Sequence, residues 1–373
     1  MHITIHGYGS ISAAGNSSEE TWDTYQKGST RWSVDGATGL PVYRVTGLPQ
    51  EDAIATFCAK TNCDRASALA LRAAEQAVTR ADWRGKDFAV LVGCSRGPTS
   101  SWEEGFRHFQ TTDRATPRTS PQTTLGGIGF ALARYFGVTS LATGMSVTCS
   151  SGMHALLHGV ALLQSCMVER VLVGGAEAPL TAFTLRQMEA LRIYASLPAA
   201  GQHACRPLAE PPSGMVVGEG AAFLALSLSP KTEAPHISGL AFAQENSPTP
   251  TGISPTGEGL RSTMRQAIDQ AGISPDLVIA HAPGTLRGDA AEHLALQSVP
   301  GTRGRAITSG KWATGHTFGA SGPLGIDLGL QILKHGSATG LAYLPVDGPT
   351  ASVLVNATGF GGNVVSVLLE GSK

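Results

Sequence analysis

Charged residues are scarce in this 373-residue chain, and no long apolar run takes their place. Charged residues make up 15% of the chain, the formal net charge is −1, and 42% of the residues are hydrophobic. A nearly neutral chain has no electrostatic attraction for nucleic acid. Its apolar runs are also too short to span a bilayer. The composition therefore favours a large buried core with wide internal contacts.

Targeting and metal-binding patterns are lacking too. The segment Met1–Ser10 has neither a basic start nor a long apolar stretch, so we expect no signal peptide. The six cysteines contain no C-x-x-C pair, which is typical of reduced thiols in a cytoplasmic protein. Two pairs, Cys58 with Cys63 and His154 with His158, each lack a convincing second pair of ligands, so we expect no metal site.

One stretch, residues 146–160, combines a β-prone start, a cysteine and an apolar helix. Cys149 is followed by the small residues Ser150, Ser151 and Gly152, and then by apolar residues at helical spacing. This predicts a strand, a tight turn and a buried helix, with the thiol at the helix N-terminus. Free N–H groups there favour a thiolate and can bind an oxyanion. The pattern alone leaves two hypotheses, a nucleophile and a structural buried thiol.

Continuously apolar strands alternate with helices along the whole chain. Residues 88–93, 169–175 and 276–280 are predicted to be buried strands, and the same rhythm recurs in both halves. We therefore predict α/β layers with an internal duplication, divided at residues 1–230 and 231–373. Residues 95–124, rich in Ser, Thr, Arg and Pro, are predicted to be a functional or interface loop.

Two histidines and a lysine follow predicted strands in the second half. His281 and His316 each lie among glycines at a strand-to-turn junction, which favours a catalytic role over the structural role of most single histidines. Lys311 lies between a strand and a glycine-rich turn, which makes it a candidate for a buried lysine that tunes nearby charges.

Five segments together resemble the β-ketoacyl synthases of the thiolase fold, in particular the elongating type. The matching segments, in chain order, are V-T-C-S-S-G (147–152), C-R-P-L with G-M-V-V-G-E-G-A-A (within 205–222), H-A-P-G-T-L-R-G-D-A-A-E (281–292), K-W-A-T-G-H (311–316) and N-A-T-G-F-G-G-N (356–363). The resemblance covers nearly the whole chain. It implies a thiolase-like fold with duplicated α-β-α-β-α layers.

The resemblance also implies a reaction. Cys149 would accept an acyl chain from an acyl carrier protein, and His281 and His316 would bind a malonyl thioester and support its decarboxylation. The resulting enolate would attack the acyl group on Cys149 and give a β-ketoacyl product. Lys311 would orient and tune the histidines.

Three more residues and the partners follow from the same resemblance. Phe360 would gate access of the acyl chain and add its N–H to the oxyanion hole, with Thr285 and Gly361 in the same group of substrate-site residues. No metal or organic cofactor is implied, because the substrates arrive on the phosphopantetheine arm of the carrier. A dimer is expected, either with a second copy or with a synthase-like subunit.

The chain departs from the family pattern near both histidines. Ala282-Pro283 replaces Gly-Thr after His281, and proline removes a backbone N–H. Gly325 stands where the family has the glutamate that pairs with the lysine, and Asp327 would point to a different helix face. These changes favour a specialised fatty-acid or type II polyketide pathway.

Two alternatives remain. A chain-length-factor-like partner subunit would resemble the synthase without full catalysis, although such subunits lose the cysteine that is present here. A different cysteine acyltransferase or hydrolase of the same fold is disfavoured by the K-x-x-T-G-H pattern at 311–316. For contact with the carrier or partner subunit we predict the segment 95–124, through Arg96, Arg114 and Arg118.

Overall fold

Strands and helices alternate through the molecule. The structure is a computed structural model that describes residues 1–29, 31–199, 201–245, 252–340, 343, 346 and 348–372. The strands in those ranges are β1 (Ile3–Ser12), β2 (Ser33–Val34), β3 (Pro41–Val42), β4 (Ala89–Gly93), β5 (Ala142–Met145), β6 (Arg170–Glu177), β7 (Gly220–Ser227), β8 (His236–Gln244), β9 (Leu277–Ile279), β10 (Ala306–Thr308), β11 (Ser352–Gly359) and β12 (Asn363–Glu370).

The helices have the bounds α1 (Ser18–Lys27), α2 (Ala53–Thr61), α3 (Arg65–Arg80), α4 (Thr99–Thr112), α5 (Thr119–Thr123), α6 (Gly127–Phe136), α7 (Ser151–Gln164), α8 (Ala182–Ala190), α9 (Glu258–Ala271), α10 (Leu286–Ser298), α11 (Lys311–Thr314) and α12 (Ser321–His335). A 3₁₀ helix, Phe318–Ala320, precedes α12. Local chemistry accounts for several helix starts. The side chains of Ser17 and Asp64, for example, accept N–H bonds from the first turns of α1 and α3.

The strand order is the same in both halves of the main sheet. Across the sheet the order is β10-β9-β11-β12-β8-β1-β7-β6-β4-β5. Strands β2 and β3 form a small sheet of their own, so the five strands of the first half are β1, β4, β5, β6 and β7, and those of the second half are β8 to β12. In each half the first of these five strands lies at the centre of the sheet, and the fifth, fourth, second and third follow outward. The outer three strands are parallel in both halves, and the remaining pairs are antiparallel. The predicted repeated rhythm is therefore present, whereas the boundary between residues 230 and 231 stays a prediction.

Three apolar clusters define the layers. The middle cluster joins α7 and α12 to strands of both halves of the sheet. One outer cluster packs α3 and α6 on the N-terminal half, and another packs α9 and α10 on the C-terminal half. This succession of helices, strands, helices, strands and helices is the α/β arrangement that the sequence predicts.

Two glycines allow the central helices to touch. A Cβ atom on Gly152 of α7 would lie 2.4 Å from Cγ of Pro323, and one on Gly322 of α12 would lie 2.2 Å from Cγ of Met153. Larger residues cannot occupy these positions without movement of the helices. The close contact brings the start of α7 beside the segment that follows His316.

The prediction of a loop over residues 95–124 is wrong, because α4 and α5 form there. Trp102, Phe106 and Phe109 on α4 recur at helical spacing, a signal that the Ser, Thr and Pro content of the segment obscures. All three aromatic side chains are exposed. Among the described residues, no helix is long and apolar enough to cross a bilayer.

Candidate active site

Cys149 lies in the turn between β5 and α7, as the sequence predicts. Thr148 has a φ of +50°, which is uncommon for a β-branched residue. The hydroxyl of Ser151 stabilises this turn, because it accepts the N–H of Val147 at 2.9 Å and donates to the carbonyl of Thr148 at 2.5 Å. The Cys149 side chain is 7% exposed. The turn therefore presents a buried thiol beside the start of a buried helix.

The thiol of Cys149 is neutral at rest. Burial raises the pKa of Cys149 to about 12, and the negative charge of Glu177 acts in the same direction. Lys311 and Arg96 lower the pKa, but by less. Desolvation of the anion therefore outweighs the two cations in the resting site. The contribution expected from the helix N-terminus stays a prediction.

His281 follows β9, His316 follows α11, and the two rings meet. Their centroids are 5.2 Å apart with planes at 87°, and both side chains are buried. Nδ1 of His316 lies 2.9 Å from the hydroxyl of Ser321. Nδ1 of His281 is buried and has no hydrogen-bond partner among the described residues. Burial, and then the charge of Lys311, places the pKa of each histidine well below its usual range, so both rings are neutral.

Lys311 begins α11 and is buried behind His281. Its Nζ donates to the carbonyl oxygen of His281. Within the described ranges no carboxylate forms an ion pair with Lys311. Burial lowers the pKa of Lys311, and Glu292 is the foremost negative group that opposes this shift. The lysine therefore fixes the turn of His281 and places a positive charge behind it.

Gly325 leaves a small space beside that lysine. A cavity of about 10 Å³ touches both Lys311 and Gly325, where the family pattern has a glutamate. Asp327 points elsewhere, as helical geometry predicts, because its carboxylate accepts the hydroxyls of Ser10 at 2.9 Å and Ser18 at 2.6 Å. Asp327 therefore does not replace the missing carboxylate.

Two carboxylates hold the turn that contains Pro283. Glu292 accepts the N–H groups of His281 at 2.9 Å and Ala282 at 2.7 Å, and Asp289 accepts the N–H of Thr285 at 3.1 Å. The altered turn after His281 thus still has its backbone donors paired.

Glu177 is a site residue that the motif analysis did not assign. It lies at the end of β6, is buried, and accepts the N–H groups of Ser95 at 2.7 Å, Arg96 at 3.0 Å and Gly319 at 3.0 Å. Burial raises its pKa. The G-G-A-E sequence at the end of a predicted strand was the available signal. Glu177 joins the loop after β4 to the 3₁₀ helix beside Cys149.

A cavity of about 440 Å³ opens at Cys149. Its lining residues combine polar and apolar side chains and are Ser95, Arg96, Thr99, Trp102, Glu103, Thr148, Cys149, Phe183, Thr184, Gln187, Met188, Phe318 and Phe360. Phe318, which belongs to none of the sequence motifs, lies between His316 and Arg96. Its ring is 5.3 Å from that of His316 and 5.4 Å from the guanidinium carbon of Arg96.

The other predicted residues occupy different places. Phe360 lines the cavity, and its carbonyl accepts the hydroxyl of Thr148 at 3.0 Å, which puts it next to the turn of Cys149. Gly361 has a φ of +85°, and its carbonyl accepts the side-chain amide of Gln244. Neither Gly361 nor Thr285 is among the lining residues. The roles of all three stay predictions.

The two pairs considered as metal ligands lie outside this site. His154 and His158 are on α7, where Nδ1 of each faces the carbonyl four residues earlier. Cys58 and Cys63 lie at and just beyond the end of α2 as free thiols. In the described parts of the chain, no three His, Cys, Asp or Glu side chains group closely enough to bind a metal ion.

Comparisons with known proteins agree with this geometry. The family model for the β-ketoacyl synthase N-terminal domain matches residues 1–231, and that for the C-terminal domain matches residues 235–342. Nodulation protein E of Rhizobium leguminosarum bv. trifolii is 24% identical over 351 residues, which cover 86% of this chain and 84% of that protein. The 3-oxoacyl-[acyl-carrier-protein] synthase 2 of Staphylococcus aureus (strain N315) is 27% identical over 355 residues, with 86% and 82% covered.

Solved structures share the fold. A chain in the structure of the ketosynthase ApeO with its chain length factor ApeC, from Xenorhabdus doucetiae, superposes with a TM-score of 0.84 at 23% identity, and the match covers 99% of this chain and 98% of that one. A β-ketoacyl synthase from Burkholderia phymatum gives a TM-score of 0.84 at 21% identity, with both chains fully covered at 100%. The predicted thiolase-like architecture is therefore confirmed.

Proposed function

Because the chain belongs to the β-ketoacyl synthase family, we propose that it catalyses decarboxylative Claisen condensation. An acyl group on Cys149 would join a malonyl unit on an acyl carrier protein, in fatty-acid or polyketide biosynthesis. The observation that carries the proposal is a buried cysteine at a helix start together with two neutral histidines whose rings are 5.2 Å apart. This is the set of groups that a thioester condensation requires.

Acyl transfer to Cys149 comes first. The sulfur attacks the thioester carbonyl, the old C–S bond breaks, and the released pantetheine thiol ends with the proton that Cys149 loses. Since burial raises the pKa of Cys149 to about 12, the proton leaves as the new bond forms and passes to the departing pantetheine sulfur. The N–H groups of Cys149 and Phe360 are the proposed oxyanion donors.

Decarboxylation of the malonyl unit follows. The side chains of His281 and His316 donate to the malonyl thioester carbonyl and stabilise the enolate as carbon dioxide leaves. The hydroxyl of Ser321 lies 2.9 Å from Nδ1 of His316 and would donate its hydrogen there. In this tautomer the ring proton of His316 is on Nε2, where it can be donated to the malonyl carbonyl. The enolate carbon then attacks the acyl carbonyl, the bond to Cys149 breaks, and the β-ketoacyl product forms.

Dimerisation and carrier binding belong to the same proposal. Strand β5 is the edge strand of the first half of the sheet and pairs only with β4 among the described residues. The exposed side chains of Phe106 and Phe109 on α4 supply apolar surface in the same half of the molecule. A second copy or a synthase-like subunit would cover these surfaces. The solved complex of ApeO with its chain length factor is an example in a protein of the same fold.

A chain-length-factor-like role is the second candidate. Lys311 has no acidic partner among the described residues, and Pro283 replaces a backbone donor in the turn of His281, so both features favour weaker catalysis. Cys149 and both histidines, which a purely structural subunit does not need, favour catalysis.

Intact-mass measurement separates these roles. The protein is incubated with a set of short acyl-carrier proteins and then with malonyl-carrier protein. We expect an acyl adduct that disappears as a β-ketoacyl product forms. The adduct should be absent from Cys149→Ala and present in Cys166→Ala, because Cys166 is an exposed cysteine outside the site. No adduct with any donor would contradict the proposal and favour the partner subunit, and an adduct that yields only free acid would indicate hydrolysis.

A further inference from the structure

The cavity at Cys149 combines apolar surface with charged groups that a saturated acyl chain does not need. Its volume of about 440 Å³ suits a small-molecule ligand. Trp102, Phe183 and Met188 supply apolar surface, but Arg96, Glu103 and Gln187 line the same space. A cavity for an alkyl chain gains nothing from such groups, because each loses its water when the chain enters.

Arg96 is held in a defined position. Its backbone N–H donates to Glu177, its Nη1 donates to the side-chain oxygen of Gln187 at 2.7 Å, and its guanidinium carbon lies 5.4 Å from the ring centre of Phe318. These contacts come from three different segments. A guanidinium carries five N–H donors, so the bond to Gln187 leaves most of them for a ligand.

The guanidinium of Arg96 makes no direct ion pair among the described residues. In the ranges that the structure describes, no carboxylate forms an ion pair with it. Glu103 lines the same cavity, but one of its oxygens accepts the hydroxyl of Thr181 at 2.6 Å. Arg96 is solvent-exposed and water solvates its free N–H groups, so a ligand that reaches those groups must replace that water. A ligand oxygen can do this, whereas a methylene group cannot.

We infer that this cavity selects acyl groups that carry an acceptor oxygen, either a keto group or a carboxylate, and that Arg96 binds this oxygen. The inference rests on the proposed acylation of Cys149. It assigns Arg96 to substrate selection, in place of the carrier contact predicted for it from the sequence. It also fits the position of Arg96 at the end of β4, beside both Cys149 and Phe318.

Acylation rates with three small donors test the inference. The donors are the N-acetylcysteamine thioesters of pentanoic, 3-oxopentanoic and glutaric acid, which match in carbon number and carry neither phosphate nor protein. In each reaction the bond from Cys149 sulfur to the acyl carbon forms, the donor C–S bond breaks, and N-acetylcysteamine leaves with the thiol proton. Intact mass follows each adduct over time. Because the donors differ in intrinsic reactivity, the readout is the rate ratio of wild type to Arg96→Met for each donor.

We expect Arg96→Met to slow at least one oxygen-bearing donor by about tenfold and to leave pentanoyl transfer within about twofold. Slowing of the 3-oxopentanoyl donor identifies a keto oxygen, and slowing of the glutaryl donor identifies a carboxylate. Arg96→Lys keeps the cation and should retain part of the preference, and it replaces Arg96→Met if that variant does not melt like the wild type. Arg265→Met, an exposed arginine on α9, should leave all three rates unchanged.

Equal rate ratios for all three donors would overturn the inference and leave the proposed function intact. A wild-type protein that accepts no donor on Cys149, whether on N-acetylcysteamine or on a carrier protein, would instead contradict the proposed function itself.

Discussion

Equivalent strand ends in the two halves of the sheet carry different chemistry. The second strands, β4 and β9, lead to Arg96 and His281. The third strands, β5 and β10, lead to Cys149 and Lys311. One strand order thus places the proposed nucleophile Cys149 in the first half and a histidine with its lysine in the second. The carboxyl ends of the strands meet where the central helices touch.

The two halves also keep their reacting groups neutral by opposite charges. In the first half, burial and the anion Glu177 raise the pKa of Cys149. In the second half, burial and the cation Lys311 lower the pKa of His281 and His316. A buried site therefore contains a thiol and two imidazoles rather than an ion pair, and charge develops only as a substrate reacts. The comparison predicts that variants in the first half stop acyl transfer to Cys149, whereas variants in the second half stop decarboxylation and condensation.

The largest expected effect is the separation of these steps by histidine variants. His281→Ala and His316→Ala should each lower the condensation rate by about a hundredfold or more, since each removes a donor to the enolate. Both should still form the acyl adduct on Cys149. Intact mass reports the adduct, and chromatography of the carrier-bound product reports condensation.

His293→Ala is the matched control, because His293 is exposed on α10 outside the site. It should condense at the wild-type rate. Loss of the acyl adduct in both site variants would contradict the division of labour, since it would make the histidines necessary for the step assigned to the other half.

A second, smaller effect, on the free energy of unfolding, should come from disturbing the contact between helices α7 and α12. Gly152→Ala places a Cβ atom 2.4 Å from Cγ of Pro323 and 2.6 Å from the carbonyl oxygen of Gly319. Alanine gains about 1 kcal/mol in helix propensity, but overpacking costs more, and we expect a net loss of about 2 kcal/mol in unfolding free energy. Urea denaturation measures it. Gly36→Ala, with no heavy atom within 4 Å of its added Cβ, should be neutral, and equal stability of both variants would refute the tight helix contact.

Motifs with strong local spacing were predictable from the sequence. The turn of Cys149, His281 and Lys311 follow strands β5, β9 and β10, as predicted. His316 follows the short helix α11 instead of the predicted strand, because Lys311–Thr314 form one helical turn. The loss of a lysine partner at Gly325 and the direction of Asp327, away from Lys311, also follow from position along one helix. Such features depend on residues that are close neighbours along the chain, so they can be recognised in the sequence.

Features that depend on contacts distant in sequence were not predictable. Glu177 joins the loops of Ser95 and Gly319, which lie far from it along the chain. Phe318 contacts Arg96 only in the folded protein. The raised pKa of Cys149 was not predictable for a related reason. The helix terminus is visible in the sequence, but the burial that raises this pKa is a property of tertiary packing.

The smallest expected effect concerns the charge of Lys311, which influences both halves. A cation stabilises a thiolate and destabilises an imidazolium, so it lowers the pKa of Cys149 and of both histidines. Lys311→Met should raise the pKa of Cys149 and of both histidines. Less of Cys149 should then be present as thiolate at a given pH. We expect iodoacetamide to alkylate Cys149 about three- to tenfold more slowly at pH 9, as measured by peptide mass.

Two controls isolate the charge of Lys311 from its packing. Lys311→Arg changes the shape of the side chain but keeps the cation, so its alkylation rate should stay closer to the wild-type rate than that of Lys311→Met. Lys334→Met removes an exposed cation near the end of α12 and should have no effect. If Lys311→Met and Lys311→Arg slowed alkylation equally, the contribution of Lys311 would be steric. The two halves would then keep their groups neutral through burial alone, and the opposite charges would have no role in the resting site.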